Sequence, residues 1–118
     1  MKKVYYLSTC STCQRILKDW GLDSSFVLQD IKTEPITPAQ IDEMIKLAGS
    51  AEALFSRRAM KYKSMGLASK DLKEADYRKL ILEEYTFLSR PVLVLNDHIF
   101  VGNSAKTVAE AKAAIQHS

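Results

Sequence analysis

The chain has 118 residues, of which 47% are hydrophobic and 26% are charged, and its formal net charge at pH 7 is +3. A chain of this length can bury a core without a disulfide framework, and the net charge is too small to imply nucleic acid as the main partner. The first apolar run is too short for a signal peptide, and no run reaches the ~18 apolar residues of a membrane span. We therefore expect one cytoplasmic domain over residues 1–118, without membrane contact.

The predicted elements alternate between strands and helices at both ends of the chain. Short apolar runs indicate strands, a 3.6-residue periodicity indicates helices, and glycine, proline and Asn-Asp mark the boundaries. In chain order they predict a strand over 3–7, a helix over 11–20, a strand over 25–31, a helix that begins after Thr37, a helical block over 51–86, strands over 92–95 and 98–101, and a helix over 104–115.

Local signals support these boundaries and set the strand directions. Thr37 and Gln40 can form a capping box, with Pro38 at the first helical position. A crossover helix should make the first two strands parallel, whereas a two-residue turn should make the last two antiparallel. The order is therefore βαβ, helices, ββα, and the helices over about 37–86 are interpreted as an insertion.

Both cysteines lie where the first strand gives way to the first helix, as Cys10-Ser11-Thr12-Cys13. A thiol at a helix N-terminus faces unpaired N–H groups and the positive end of the helix dipole, so its pKa falls below about 8.5. Cys10 is the predicted nucleophile. Cys13, one turn further on, is the predicted resolving thiol, and Ser11 and Thr12 are structural parts of the turn. Arg15 either adds positive potential or is simply an exposed arginine.

Other interpretations of the cysteine pair are less favoured. Structural zinc wants four ligands, and only His98 and His117 remain, without a pattern. A structural disulfide suits a secreted protein, and two inert buried thiols fit poorly with the strand-to-helix position. No phosphate-binding loop or Ser-His-Asp set is present, so we expect no metal and no bound cofactor.

Positive residues cluster between Arg57 and Lys63. Such a run is most often a solvated helix face, and the alternative is a contact with an anion or a protein. Charge alone does not separate the two interpretations.

The cysteine pair, the βαβ start, the Arg90-Pro91 pair before a late hairpin and the closing helix together resemble the thioredoxin/glutaredoxin fold. More narrowly, the chain resembles the arsenate reductase (ArsC) family, which includes the thiol-responsive transcription regulator Spx. The resemblance implies an α/β fold with a mixed four-stranded sheet and a helical insertion. It extends over nearly the whole chain, through Tyr6–Leu17, Thr33–Thr37, Tyr62–Leu67 and Phe87–Val94.

The resemblance also implies the remaining site residues. Pro91 is expected to be cis and to pack against the cysteine turn. Arg90 is expected to point into the site, where its guanidinium binds an oxyanion or stabilises a thiolate; the alternative is a surface ion pair. The second arginine of the family pattern falls at Arg58, and a slip of one residue would place Arg57 there.

Two departures from the glutathione-linked arsenate reductases bear on the substrate. Those enzymes have a single catalytic cysteine followed by Gly-Thr-Ser, whereas this chain has Cys13 as well. They also have a third oxyanion-binding arginine after the hairpin, in the region that Val101-Gly102-Asn103 occupies here.

Two functions compete. The first is a thiol-disulfide oxidoreductase of the arsenate reductase family that uses Cys10 and Cys13. Its substrate is a small oxyanion, with arsenate as a candidate, or a protein or low-molecular-weight disulfide, and its external reductant is glutathione with glutaredoxin, or thioredoxin. The alternative is a Spx-like regulator whose disulfide state controls binding to RNA polymerase. Gly49 falls where that regulator has a glycine in its polymerase contact, although a helix C-cap also explains it.

Overall fold

A mixed four-stranded sheet forms the centre of the fold in the computed structural model, which describes residues 1–117. Its strands lie in the order β2-β1-β3-β4. The pair β1–β2 is parallel, and the pairs β1–β3 and β3–β4 are antiparallel. The predicted α/β class and mixed sheet are therefore confirmed. The strands are β1 (Lys2–Tyr6), β2 (Val27–Asp30), β3 (Val92–Leu95) and β4 (His98–Val101).

Besides the four strands, residues 1–117 form five α-helices and three short 3₁₀ helices. The predicted capping box is present, since the Thr37 hydroxyl accepts from the Gln40 N–H at 3.1 Å while the Gln40 side chain accepts from the Thr37 N–H at 3.1 Å. The α-helices are α1 (Ser11–Trp20), α2 (Pro38–Ala48), α3 (Met60–Ser64), α4 (Glu74–Glu83) and α5 (Ala105–Gln116), and the 3₁₀ helices are Glu52–Leu54, Leu67–Ser69 and Tyr85–Phe87.

The predicted helical block over 51–86 consists of several short helices. Gly66 has a φ of 66°, in the left-handed region, and it separates α3 from the next 3₁₀ helix. Lys73 is extended, and its N–H donates to the Asp76 carboxylate at 2.8 Å, which begins α4. Turn and cap interactions therefore interrupt a segment in which periodicity alone favours helix.

The chain forms two compact units. The first comprises Met1–Pro35 and the residues from Arg90 onward, and it contains the whole sheet, α1 and α5. The second comprises Ile36–Ser89. Ser118, the last residue of the predicted single domain, lies outside the described residues.

The core of the first unit lies between the sheet and its two helices. Trp20 of α1 packs in this core, and its indole N–H donates to the Val108 carbonyl of α5 at 3.1 Å. The interaction satisfies the one polar group of the ring while its apolar body is buried. The core residues are Val4, Ile16, Trp20, Phe26, Leu93, Leu95 and Ala111.

The second unit has an aromatic core of its own. The ring of Phe55 stacks on Phe87 with centroids 5.0 Å apart and meets Tyr77 edge-on at 4.9 Å. The Glu74 carboxylate accepts from the backbone N–H groups of Ala51 and Glu52, so it ties α4 to the nearby 3₁₀ helix. None of the helices within residues 1–117 is long and apolar enough to cross a membrane.

We expect Leu93→Ala to lower the free energy of unfolding by about 2 to 5 kcal/mol, because Leu93 is fully buried in the core of the first unit. Leu28→Ala is the matched control. Leu28 is 47% exposed, so its loss should change the free energy of unfolding by about 0.5 kcal/mol or less. Urea unfolding followed by the fluorescence of Trp20, the single tryptophan, measures both. Equal losses in the two variants would contradict the assigned core.

Candidate active site

A tight turn joins β1 to α1 and places Cys10 at the helix start. The Cys10 N–H donates to the Leu7 carbonyl at 3.0 Å, which closes the turn. Cys10 itself is extended, with φ −95° and ψ 111°, and its carbonyl accepts from the Gln14 N–H at 3.1 Å, in the first turn of the helix. Cys10 is therefore the N-cap of α1, where the unpaired N–H groups of a helix point.

The sheet brings a second segment to the same place. The antiparallel register pairs Tyr5 of β1 with Val92, the first residue of β3. Arg90 and Pro91 therefore enter the sheet beside the end of β1, where the Cys10 turn begins. The Arg90–Pro91 peptide bond is cis, and the buried Pro91 accepts from the Gly102 N–H at 3.0 Å. Gly102 is part of the tripeptide in the region of the family's third arginine.

The environment of Cys10 favours its thiolate. Its partial burial opposes ionisation, but the backbone N–H and thiol of Cys13, the backbone N–H of Thr12 and the charge of Arg90 outweigh that effect. The pKa of Cys10 is therefore lowered from its ordinary value. The side chain is partly exposed, and no disulfide joins it to Cys13. A lowered pKa together with exposure characterises a reactive cysteine.

Cys13 has the opposite character. It is fully buried, and burial raises its pKa to about 11, with further raising contributions from the thiol and charge of Cys10. The Leu7 backbone and Arg90 act in the other direction without reversing the shift. At neutral pH Cys13 is therefore a protonated thiol that bulk reagents do not reach.

Arg90 is the arginine whose charge acts on the pKa of both cysteines. Its side chain is partly buried. Arg15, by contrast, is exposed on α1, where it lines a shallow groove of about 380 Å³ with Asp19 and Lys112. The structure thus brings Arg90 into electrostatic contact with the pair, while Arg15 faces solvent on the helix that carries them.

Arg57 and Arg58 both belong to the second unit but have different environments. The Arg57 guanidinium forms an ion pair with Glu52 at 2.7 Å and donates to the Tyr77 hydroxyl at 3.1 Å. The Arg58 side chain is exposed and forms no ion pair among residues 1–117. Arg57 is thus committed to contacts within its own unit, and Arg58 is the one with a guanidinium available for a ligand. Arg58 lines an open pocket of about 680 Å³ together with Arg57, Met60 and Lys63.

Three residues around the turn before Cys10 were not predicted from the sequence: Ser8, Gln14 and Asp30. The Asp30 carboxylate accepts from the N–H and hydroxyl of Ser8, and the Gln14 side chain donates to the Ser8 carbonyl. The signal in the sequence that could have identified the contact between Ser8 and Asp30 was the parallel pairing of the first two strands, which places the end of β2 beside the residues that follow β1.

Among residues 1–117, no cluster of three or more His, Cys, Asp and Glu side chains is arranged to hold a metal.

The sequence model of the ArsC family matches residues 5–111. The chain belongs to the ArsC family. Membership supports the prediction that the protein is a thiol oxidoreductase. The family implies an oxyanion substrate and a thiol reductant. It also accounts for the agreement between the predicted and observed folds.

Known relatives resemble this ArsC family chain over most of its length. The uncharacterized protein YfgD of Escherichia coli K12 is 26% identical over 113 residues, which are 92% of this chain and 93% of that protein. An arsenate reductase (ArsC) related protein from Brucella melitensis has a TM-score of 0.69 at 24% identity, covering 95% of this chain and 92% of that one. An arsenate reductase from Vibrio cholerae has a TM-score of 0.73 at 17% identity, covering 92% and 97%. These two structures show a shared fold.

The two thiols should react with iodoacetamide at very different pH values. Because the thiolate is the reactive form and the pKa of Cys10 is lowered, its alkylation rate should rise with pH to a midpoint below that of a free cysteine. Cys13 in a Cys10→Ser variant should react slowly up to pH 10, since its pKa is raised to about 11. Peptide mass spectrometry assigns each product. Similar midpoints for both thiols would contradict the site as described.

Proposed function

We propose that the protein is a thiol-disulfide oxidoreductase that reduces arsenate to arsenite, with Cys10 as the nucleophile and Cys13 as the resolving thiol. One observation carries the proposal: two cysteines one helical turn apart have opposite environments. The partly exposed Cys10 has a lowered pKa, and the buried Cys13 has a raised one. A nucleophile and a resolving thiol need this difference, since only one of them should meet the substrate.

In the first step the Cys10 thiolate attacks the arsenic atom of arsenate. A sulfur–arsenic bond forms, and one arsenate oxygen leaves as water after it has taken up two protons. Arsenic is still As(V) at this stage. Unpaired N–H groups at the start of α1 and the Arg90 charge favour the attacking thiolate.

In the second step Cys13 resolves the adduct. Its sulfur attacks the Cys10 sulfur, the S–S bond forms and the S–As bond breaks, with the electron pair of that bond passing to arsenic. Arsenite leaves as As(III), so the two thiols together have supplied two electrons. Burial is the largest cause of the raised pKa of Cys13, and it remains after the adduct has formed. The Cys13 thiol therefore gives up its proton as it attacks, and that proton passes to an oxygen of the leaving arsenite.

Arginine side chains offset the charge of the oxyanion. A guanidinium fork matches two oxygens of a tetrahedral anion and remains charged at every relevant pH. Arg90 takes this role because its charge already acts on both cysteines. An external thiol, glutathione with glutaredoxin or thioredoxin, then reduces the Cys10–Cys13 disulfide.

The regulator hypothesis has no specific observation in its favour. Gly49 has a φ of 95°, and its N–H donates to the Ile45 carbonyl, so the end of α2 explains this glycine. RNA polymerase therefore has no part in the proposal.

Arsenate-dependent oxidation of NADPH tests the proposal, coupled in separate reactions to thioredoxin with its reductase and to glutathione with glutaredoxin. We expect turnover with one of these systems and none in Cys10→Ser, which lacks the nucleophile. Cys13→Ser should accumulate an adduct on Cys10 and need a monothiol for turnover. Wild-type turnover in Cys10→Ser would refute the mechanism. Absence of arsenate turnover alongside reduction of a small disulfide such as hydroxyethyl disulfide would reject arsenate as the substrate.

Replacement of Arg90 tests the oxyanion role. Arg90→Ala should lower kcat/KM for arsenate by about 10²- to 10³-fold, as expected when one charge-stabilising donor is lost. It should also raise the pKa of Cys10, since the Arg90 charge contributes to lowering it. Arg78→Ala is the control, because Arg78 only pairs with Asp42 at 2.8 Å on the surface. Equal kinetics for the two variants would contradict the assignment.

A further inference from the structure

Ser8, two residues before Cys10, has all three of its polar groups held by side chains. Its hydroxyl donates to Asp30 Oδ2 at 2.5 Å, and its N–H donates to Asp30 Oδ1 at 3.3 Å. Its carbonyl accepts from the Gln14 side chain of α1. A surface loop residue usually leaves some of these groups to water. Here they fix both peptide planes that flank Ser8.

The position of Ser8 gives these contacts a mechanical consequence. Ser8 is the second residue of the Leu7–Cys10 turn, which a hydrogen bond of 3.0 Å closes. The orientation of its two peptide planes sets where the chain reaches Cys10 and how the sulfur approaches the N–H groups of Thr12 and Cys13. A carboxylate from β2 holds one side of the turn, and an amide from α1 holds the other.

The sheet fixes Asp30 independently of this turn. Asp30 is the last residue of β2 and pairs with Tyr6, the last residue of β1. The Ile31 N–H donates to the Tyr6 carbonyl at 2.9 Å, so pairing continues one residue further. The Lys32 N–H also donates to the Asp30 carboxylate, at 3.2 Å. Asp30 therefore connects the turn to the paired strands of the sheet.

We infer that Asp30 is a positioning residue for Cys10, and that it acts through Ser8 by holding the Leu7–Cys10 turn against the start of α1. The inference rests on the proposed role of Cys10 as the nucleophile. Hydrogen bonds to sulfur weaken steeply with distance and angle, so a relaxed turn would reduce the stabilisation of the thiolate.

The direction in which the pKa of Cys10 changes when Asp30 is removed distinguishes a positioning role from a simple charge effect. If Asp30 acted only as a nearby negative charge, its removal would lower the pKa of Cys10, because like charge disfavours ionisation. If it positions the turn, its removal raises that pKa, because the N–H groups lose their alignment with the sulfur. If it serves only the stability of the fold, the pKa does not move.

The test is the pKa of Cys10 in a Cys13→Ser background, measured from thiolate absorbance at 240 nm and from iodoacetamide rates at a pH at least one unit below the midpoint found before Asp30 is replaced. Asp30→Ala should slow alkylation by about three- to tenfold, which corresponds to a rise of the pKa by about 0.5 to 1. Asp30→Asn should restore most of the rate, because an amide keeps hydrogen-bonding groups in the same place without the charge. An unchanged or faster rate in Asp30→Ala would overturn the inference.

Asp23→Ala is the matched control. Asp23 accepts from the N–H of Ser25 at 2.8 Å and from its hydroxyl, the same pair of contacts, but on the loop before β2. This variant should leave the alkylation rate of Cys10 unchanged, and an equal slowing would overturn the inference.

If Asp30→Ala does not fold, a variant of Ser8, the residue that donates to Asp30, provides the test. Ser8→Ala removes the hydroxyl donor and keeps the N–H, so it should slow alkylation in the same direction by a smaller factor. A folded Ser8→Ala variant with the wild-type rate would also overturn the inference. None of these measurements uses arsenate, so they succeed or fail independently of the substrate assigned to the protein.

Discussion

The sulfur of Cys10 at the open N-terminus of α1 is the interaction on which the rest of the site depends. The first N–H groups of a helix have no intrahelical partner, and they favour negative charge. In this chain Cys10 takes this place, and its pKa is lowered. Each tenfold gain in thiolate at a given pH corresponds to about 1.4 kcal/mol. A few well-aligned N–H groups and one guanidinium can supply such a difference, but only if the turn before the helix is held in place.

The sheet topology provides that support through two strand pairings of β1. Parallel pairing of β1 with β2 puts Asp30 beside the end of β1. Antiparallel pairing with β3 puts Arg90 and Pro91 at the same end of β1. The helix that follows the turn carries Cys13 inward, where burial raises its pKa. The same end of the sheet thus brings the two thiols of one helix start together with the charge of Arg90, which comes from a distant part of the sequence.

Much of this arrangement could be predicted because it depends on local signals. Periodicity and turn residues identified the four strands and the helices α1, α2 and α5 to within a few residues, and strand-to-helix placement identified Cys10 and Cys13. The block over 51–86 was predicted to be helical, and Gly66 and the cap at Lys73 mark where its short helices are separated.

Non-local features could not be predicted from the chain alone. The contacts of Arg57 are one example, since the Tyr77 hydroxyl that accepts from its guanidinium lies 20 residues away in the sequence. Asp30 was missed because its partner, Ser8, is 22 residues distant, and only the register of two parallel strands joins them. The full burial of Cys13 likewise depends on how the elements pack.

The most direct test of the central claim is a single turnover with reduced protein and arsenate in the absence of any other thiol. Arsenite is quantified together with the Cys10–Cys13 disulfide, which peptide mass spectrometry identifies. One arsenite should form for each disulfide, because the two sulfurs supply both electrons. Arsenite formed while both thiols remain reduced, or a Cys10–Cys13 disulfide formed without arsenite, would contradict it.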